Sequence, residues 1–207
     1  MKRLGALTGA GAFSGNPTEL PMKKQIVVAT VVGALVAGAG LLWTQPAFSA
    51  TNDVQVAFSP DGGAEQLVLQ TIHSARQSIR VMAYSFTAPP VVKALLDAKR
   101  RGVDVAVTVD YRSNVDEDHS GKAAAAMGAL TYAGVPVIVV HAFPMQHSKF
   151  LVVDNATVET GSYNYSQAAA RVNSENVLVL SNHPEIAKAY LDDWKAVTSQ
   201  GEPYRAR

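Results

Sequence analysis

No cysteine occurs among the 207 residues. Disulfide scaffolds, thiolate metal sites and a cysteine nucleophile are thereby excluded. Low-complexity tracts and fixed-period repeats are also missing, so solenoids and arrays do not apply. Nor is there a surplus of basic charge. Beyond residue 50 the chain carries 14 Lys+Arg against 16 Asp+Glu, a net charge of −2. Bulk attraction to a polyanion normally needs a basic protein, so any such binding here must come from a local groove. With 48% hydrophobic residues, one domain of ordinary size with its own core is the default.

The one long apolar run lies near the start. Met22-Lys23-Lys24 precedes the charge-free stretch Ile26 to Trp43, and Thr44-Gln45-Pro46-Ala47-Phe48-Ser49-Ala50 follows. Basic, apolar, then small-residue is the order of a signal peptide. Cleavage after Ser49 places Ala47 at −3, whereas cleavage after Ala50 would place bulky Phe48 there. Residues 22–49 are therefore expected to be a leader, with a retained membrane anchor as the rival reading. Residues 1–21, ahead of a second Met-Lys-Lys, read as a disordered upstream extension. The expected location is periplasmic or secreted, with membrane contact only through an uncleaved leader.

From residue 50 to 207 strand-like and helix-like segments alternate. Asp53–Phe58 alternates apolar and polar residues, and Ser59-Pro60-Asp61-Gly62-Gly63 turns into a helix expected to reach Ser78. Ile79–Tyr84 is a second strand. Pro89-Pro90 opens a helix that closes at Lys99-Arg100-Arg101-Gly102, with cations in its last turn and glycine just past it. Val103–Asp110, Val137–Val140, His147–Val153, Thr157–Thr160 and Val177–Leu180 are further strands. An Ala-rich helix runs to Ala133, and an amphipathic helix from Pro184 to about Thr198 closes the chain. Such alternation predicts a single α/β domain with a mixed, largely parallel central sheet and helices on both faces.

The chemistry concentrates in His147-Ser148-Lys149-Phe150-Leu151-Val152-Val153-Asp154. Residues i and i+2 of a strand share a face, so His147 and Lys149 point the same way. Apolar neighbours make this an expensive place for an ammonium unless an anion occupies the site. An imidazole beside a fixed cation suits phosphate chemistry, where one group attacks or moves a proton while the other neutralises oxygens. Gly161-Ser162-Tyr163-Asn164 adds a glycine that permits close backbone approach and two neutral donors. Glu175, ahead of the next strand, can accept from an imidazole N–H and hold one tautomer.

His147-x-Lys149-x4-Asp154, six residues, then Gly161-Ser162-x-Asn164 is similar to the signature of the phospholipase D superfamily. Val56-Ala57-Phe58-Ser59-Pro60, Met82-Ala83-Tyr84-Ser85-Phe86-Thr87-Ala88-Pro89, Arg101-Gly102-Val103-Asp104-Val105 and the stretch Thr157 to Ser162 extend the likeness. Over residues 54–206 the chain resembles the small bacterial EDTA-resistant endonucleases of that superfamily, which carry a single copy of the signature. The resemblance implies a non-specific endonuclease for DNA or RNA, working as a homodimer without metal or other cofactor. It implies that His147 attacks phosphorus, that the partner's His147 protonates the leaving oxygen, and that Lys149 and Asn164 stabilise charge. Glu175 would orient His147, Ser162 would bind phosphate, and Asp154 and Gly161 would support the motif.

Two other readings stand beside this one. A lipid phosphodiesterase or transphosphatidylase would need an apolar acyl approach, and no long insertion supplies one. A non-catalytic nucleic-acid-binding accessory would not need the complete signature. Of the remaining polar residues, Arg112, Ser113 and Asn114 are weak candidates for substrate contact, since they follow the end of a strand. Asp110 reads as a strand terminator, and Phe86 as a residue that stacks or packs. His73, His119, His141 and His183 read as ordinary surface or packing residues.

Overall fold

The computed structural model describes residues 53–60 and 63–206, so the readings of 1–21 and 22–49 lie outside the described residues. In chain order the elements are β1 (Asp53–Ser59), α1 (Gly63–Ser74), β2 (Ser78–Ala83), α2 (Pro89–Arg100) and β3 (Asp104–Asp110). A single π turn at Arg112–Asp116 leads to α3 (Lys122–Tyr132) and β4 (Val137–Val140). Then come β5 (Phe150–Val153), β6 (Thr157–Gly161), α4 (Gln167–Arg171), β7 (Glu175–Ser181), α5 (Pro184–Thr198) and β8 (Glu202–Pro203).

The strands form one sheet in the order β1-β7-β6-β5-β2-β3-β4-β8. The α/β class with helices on both faces is as the sequence predicts. The parallel share is smaller than expected, because only β2–β3 and β3–β4 pair parallel and every other pairing is antiparallel. Turn chemistry explains part of this. Asp154 and Asn155, with φ of 51° and 56°, open the three-residue turn that joins Val153 of β5 to Thr157 of β6, a reversal so short that only antiparallel neighbours can use it.

Two expected boundaries also move. The helix α1 ends at Ser74 rather than Ser78, because the Asp154 carboxylate accepts from the backbone N–H groups of Arg76, Gln77 and Ser78 at 2.8, 2.7 and 2.9 Å. The strand β5 begins at Phe150 rather than His147, since the backbone around His147 bonds to side chains instead of a neighbouring strand.

Period-2 alternation divides the core. Ile79, Val81, Val105, Val107, Leu151 and Val177 face α1 to α4, meeting Leu67, Ile72, Leu95, Met127 and Leu130. Met82, Phe150, Val152 and Val158 face α5, which answers with Ile186, Ala187, Tyr190, Leu191 and Trp194. Trp194 also donates its indole N–H to Val81 O at 2.9 Å. This second layer is incomplete. Val54 lies opposite Leu180, and Leu180 opposite Val158, so β1 presents Val54, Val56 and Phe58 on the α5 face. There they stay 55%, 63% and 65% exposed.

Glu159 points into the main core, 1% exposed, and accepts from the Tyr165 hydroxyl at 2.7 Å. Burial pushes its carboxyl up from the usual 4.5 to about 8, against a smaller downward pull from Tyr165. The folded state thus holds a proton that the unfolded chain releases. This proton-linked stability is complete below pH 4.5 and is lost as the pH rises through about 8. Each pH unit in that window costs about 1.4 kcal/mol. Denaturant unfolding at successive pH values is expected to show the wild type weakening across this range and Glu159→Gln weakening less. Parallel profiles would show that Glu159 is not the group responsible.

Candidate active site

Register gathers the signature residues at one end of the sheet. Phe150 pairs with Thr160, which sets Lys149 beside Gly161 at the next step. Gly161 pairs with Val177, so Ser162 comes beside Asn176 and Glu175. Met82 pairs with Phe150, which brings Tyr84 past the end of β2 toward Ser148. Four interior strands, β2, β5, β6 and β7, thus deliver side chains to one end of the sheet.

His147 is exposed, and its ring lies 4.5 Å from that of Tyr84 at an interplanar angle of 55°. Lys149 is buried at 7% exposure. Its Nζ donates to the His147 backbone oxygen at 2.6 Å and stands 4.9 Å from the centre of the Tyr84 ring. Burial holds the Lys149 ammonium below its ordinary pKa, and the negative charge of Glu175 opposes that shift. A cation so placed is short of solvation, and an incoming phosphate oxygen supplies what water cannot.

Glu175 is occupied close to home. Its Oε2 accepts from Ser162 Oγ at 2.6 Å and its Oε1 from Asn173 Nδ2 at 3.0 Å. Ser162 Oγ in turn accepts from the backbone and side-chain nitrogens of Asn176 at 3.1 and 3.3 Å. Among the described residues no group hydrogen-bonds the His147 ring, so within one chain Glu175 is not its partner. The Ser162 proton is likewise committed to Glu175, and a phosphate oxygen would have to displace that carboxylate to receive it. Asn164 has a buried Oδ1 without a hydrogen-bond partner. Asp154 sits in the β5–β6 turn at the opposite end of the sheet, tying down the entry to β2.

Of the other residues near the site, Asn114 departs from its sequence reading, Phe86 takes one of its two readings, and Asp110 ends β3 as read and does more besides. Asn114 does not face substrate. It is buried, accepts from Phe86 N at 2.8 Å and donates to Asp110 O at 2.8 Å and Tyr84 O at 2.5 Å. Phe86 packs, edge-on to Tyr165. Asp110 does more than end β3, since its two oxygens accept from Ser113 N at 2.7 Å and Gln146 N at 2.8 Å. Tyr84 and Gln146 were not singled out from the sequence. The available signal was slight: an aromatic ending an apolar strand, and an amide next to the signature histidine.

The chain matches a family model described as "Cardiolipin synthase, PLD-like domain" over residues 68–197. It is 33% identical to a phospholipase D of Rickettsia bellii, across 69% of this chain and 68% of that protein. A mitochondrial cardiolipin hydrolase of Xenopus laevis is 31% identical across 69% of this chain and 64% of its own length. Among solved structures, Nuc from Salmonella typhimurium, described as a phospholipase D family member, superposes with a TM-score of 0.71 at 48% identity. That match covers 74% of this chain and 98% of Nuc.

Proposed function

Because the chain belongs to the phospholipase D superfamily of phosphodiesterases, we propose that it is a metal-independent endonuclease cutting DNA, and RNA as well, at a site shared by two copies of the chain. The observation that carries this reading is the open placement of His147 over a buried Lys149. An exposed nucleophile backed by a desolvated cation suits a phosphodiester within a polymer, which reaches the site laterally. A lipid headgroup would call for an apolar channel beside it. The likeness to Nuc, over 74% of this chain and 98% of that one, supports the same choice.

The reaction needs two imidazoles. A neutral His147 nitrogen attacks phosphorus, forming a P–N bond as the P–O bond to the leaving group breaks. The protonated His147 of the second copy gives its proton to the departing oxygen. Now neutral, that imidazole takes a proton from water, whose oxygen attacks phosphorus and releases the first His147. Lys149 and Asn164 of both copies stabilise the equatorial oxygens throughout. One chain holds one signature, so the second imidazole has to come from another copy. The uncovered Val54, Val56 and Phe58 stripe supports such an association, because it leaves an apolar face beside α5 for a symmetric partner.

Plasmid DNA, single-stranded RNA, phosphatidylcholine and cardiolipin, each incubated with the protein in excess EDTA, discriminate the readings. Both nucleic acids are expected to be degraded and both lipids left intact. Intact nucleic acids with a hydrolysed lipid would replace the nuclease reading with a lipid one. Activity abolished by EDTA would overturn the metal-free mechanism.

A further inference from the structure

We infer that Asp110 and Gln146 are positioning residues that clamp the segment carrying His147, the one an acceptor for its backbone and the other an amide brace across it. The inference rests on the phosphodiesterase reading and names residues outside the signature. His147 lies before β5 begins, in a stretch without ladder hydrogen bonds. Such a segment is mobile unless something else holds it, and a nucleophile must be held to within a fraction of an ångström.

The neighbours of His147 on either side are both tied. Gln146 N donates to Asp110 Oδ2 at 2.8 Å, while Asp110 Oδ1 accepts from Ser113 N. The Gln146 side chain is buried, and one orientation of its amide satisfies both ends. In it the nitrogen donates to Ala83 O and the oxygen accepts from Ser148 N, each at 3.1 Å. The backbone N–H groups of residues 146 and 148 are thus both engaged, with His147 between them. Behind the clamp, Asn114 joins Asp110 O to Tyr84 O, and the Tyr84 ring rests on the His147 ring. The base of the clamp is therefore fixed to the ends of β2 and β3.

The residue types follow from the donors. Both oxygens of Asp110 face backbone N–H groups, so two acceptors are needed and only a carboxylate of this length provides them. Asparagine would turn an NH2 toward one of those N–H groups. Gln146 needs a donor at one end and an acceptor at the other, which methionine of similar length cannot supply.

The test compares Asp110→Asn, Gln146→Met and, as a control, Thr108→Val. Thr108 shares the strand and face of Asp110 but bonds to Thr198 on α5, away from His147. With bis(p-nitrophenyl) phosphate as substrate, both clamp variants are expected to lose about 10- to 100-fold in kcat with KM held within about twofold. Thr108→Val should lower Tm and leave kcat unchanged. Amide hydrogen exchange at Gln146 and Ser148 should quicken in the clamp variants and not in the control. Wild-type kcat in both clamp variants, or losses no larger than those of Thr108→Val, would overturn the proposal. So would unchanged exchange at both amides. If the wild type itself fails to cleave the diester, the phosphodiesterase reading falls, and exchange still decides whether the clamp holds.

Discussion

Replacing His147 with alanine is expected to cut phosphodiester turnover by about 10⁴-fold or more while shifting Tm by no more than about 2 °C. The two halves of this expectation have separate causes. In the proposed mechanism a symmetric pair loses its nucleophile and its proton donor in one substitution, so nothing remains to form the P–N bond or to assist the leaving oxygen. Stability depends little on the same side chain. His147 is exposed, its ring makes no hydrogen bond among the described residues, and its packing contact is the Tyr84 ring. Turnover and thermal unfolding measured on one preparation check both halves. Retained turnover would remove His147 from the mechanism. A large fall in Tm would mean that the ring supports the fold. Mixing variant and wild-type subunits adds a test of sharing, since a mixed pair keeps only one of the two imidazoles and should turn over at far less than half the wild-type rate.

The second large effect is expected from Gly161→Ala. A Cβ at Gly161 would stand 2.1 Å from the backbone oxygen of Asn176 and 2.9 Å from its carbonyl carbon. Both atoms belong to β7, an interior strand flanked by β1 and β6, so neither can swing aside as a side-chain tip would. β6 and β7 would have to part by roughly an ångström, and overpacking of this severity costs about 3 kcal/mol. For a domain of this size Tm should fall by about 10 °C. Activity should fall as well. Ser162 follows Gly161 directly, and parting the strands breaks its 2.6 Å bond to Glu175. Thermal unfolding and diester turnover read the two effects. A variant with wild-type values for both would mean that β6 and β7 are not held at this spacing.

These two residues differ in how far the sequence exposes their role. His147 and Lys149 are legible through the spacing of the signature and because an uncompensated ammonium among apolar residues asks for an anion, although both precede β5 and the shared strand face expected for them does not form. Gly161 is legible only as a glycine in a pattern. Its reason is the carbonyl of Asn176, fifteen positions on, which becomes a neighbour when β6 pairs with β7. Glu159 shows the same limit from the other side. In Thr157-Val158-Glu159-Thr160 it has the look of an outward strand position. Burial against Tyr165 turns it into a carboxyl that titrates near 8.

By itself the sequence determined whatever depends on neighbours along the chain. That includes the alternation of strands and helices, the reversal at Asp154-Asn155, the proline start and glycine stop of α2, and the spacing of the signature that placed the chain in its superfamily. Tertiary structure alone decided which strands lie side by side, and with them the antiparallel majority of the sheet. It also decided the engagement of Glu175 by Ser162, the seat of His147 against Tyr84, and the reach of Asp110 across 36 positions to Gln146. The physical reason is the nature of the code. Hydrophobic periodicity states which face of an element is buried, but not what will cover it. A buried polar side chain looks like any loop residue until the sheet register supplies its partners.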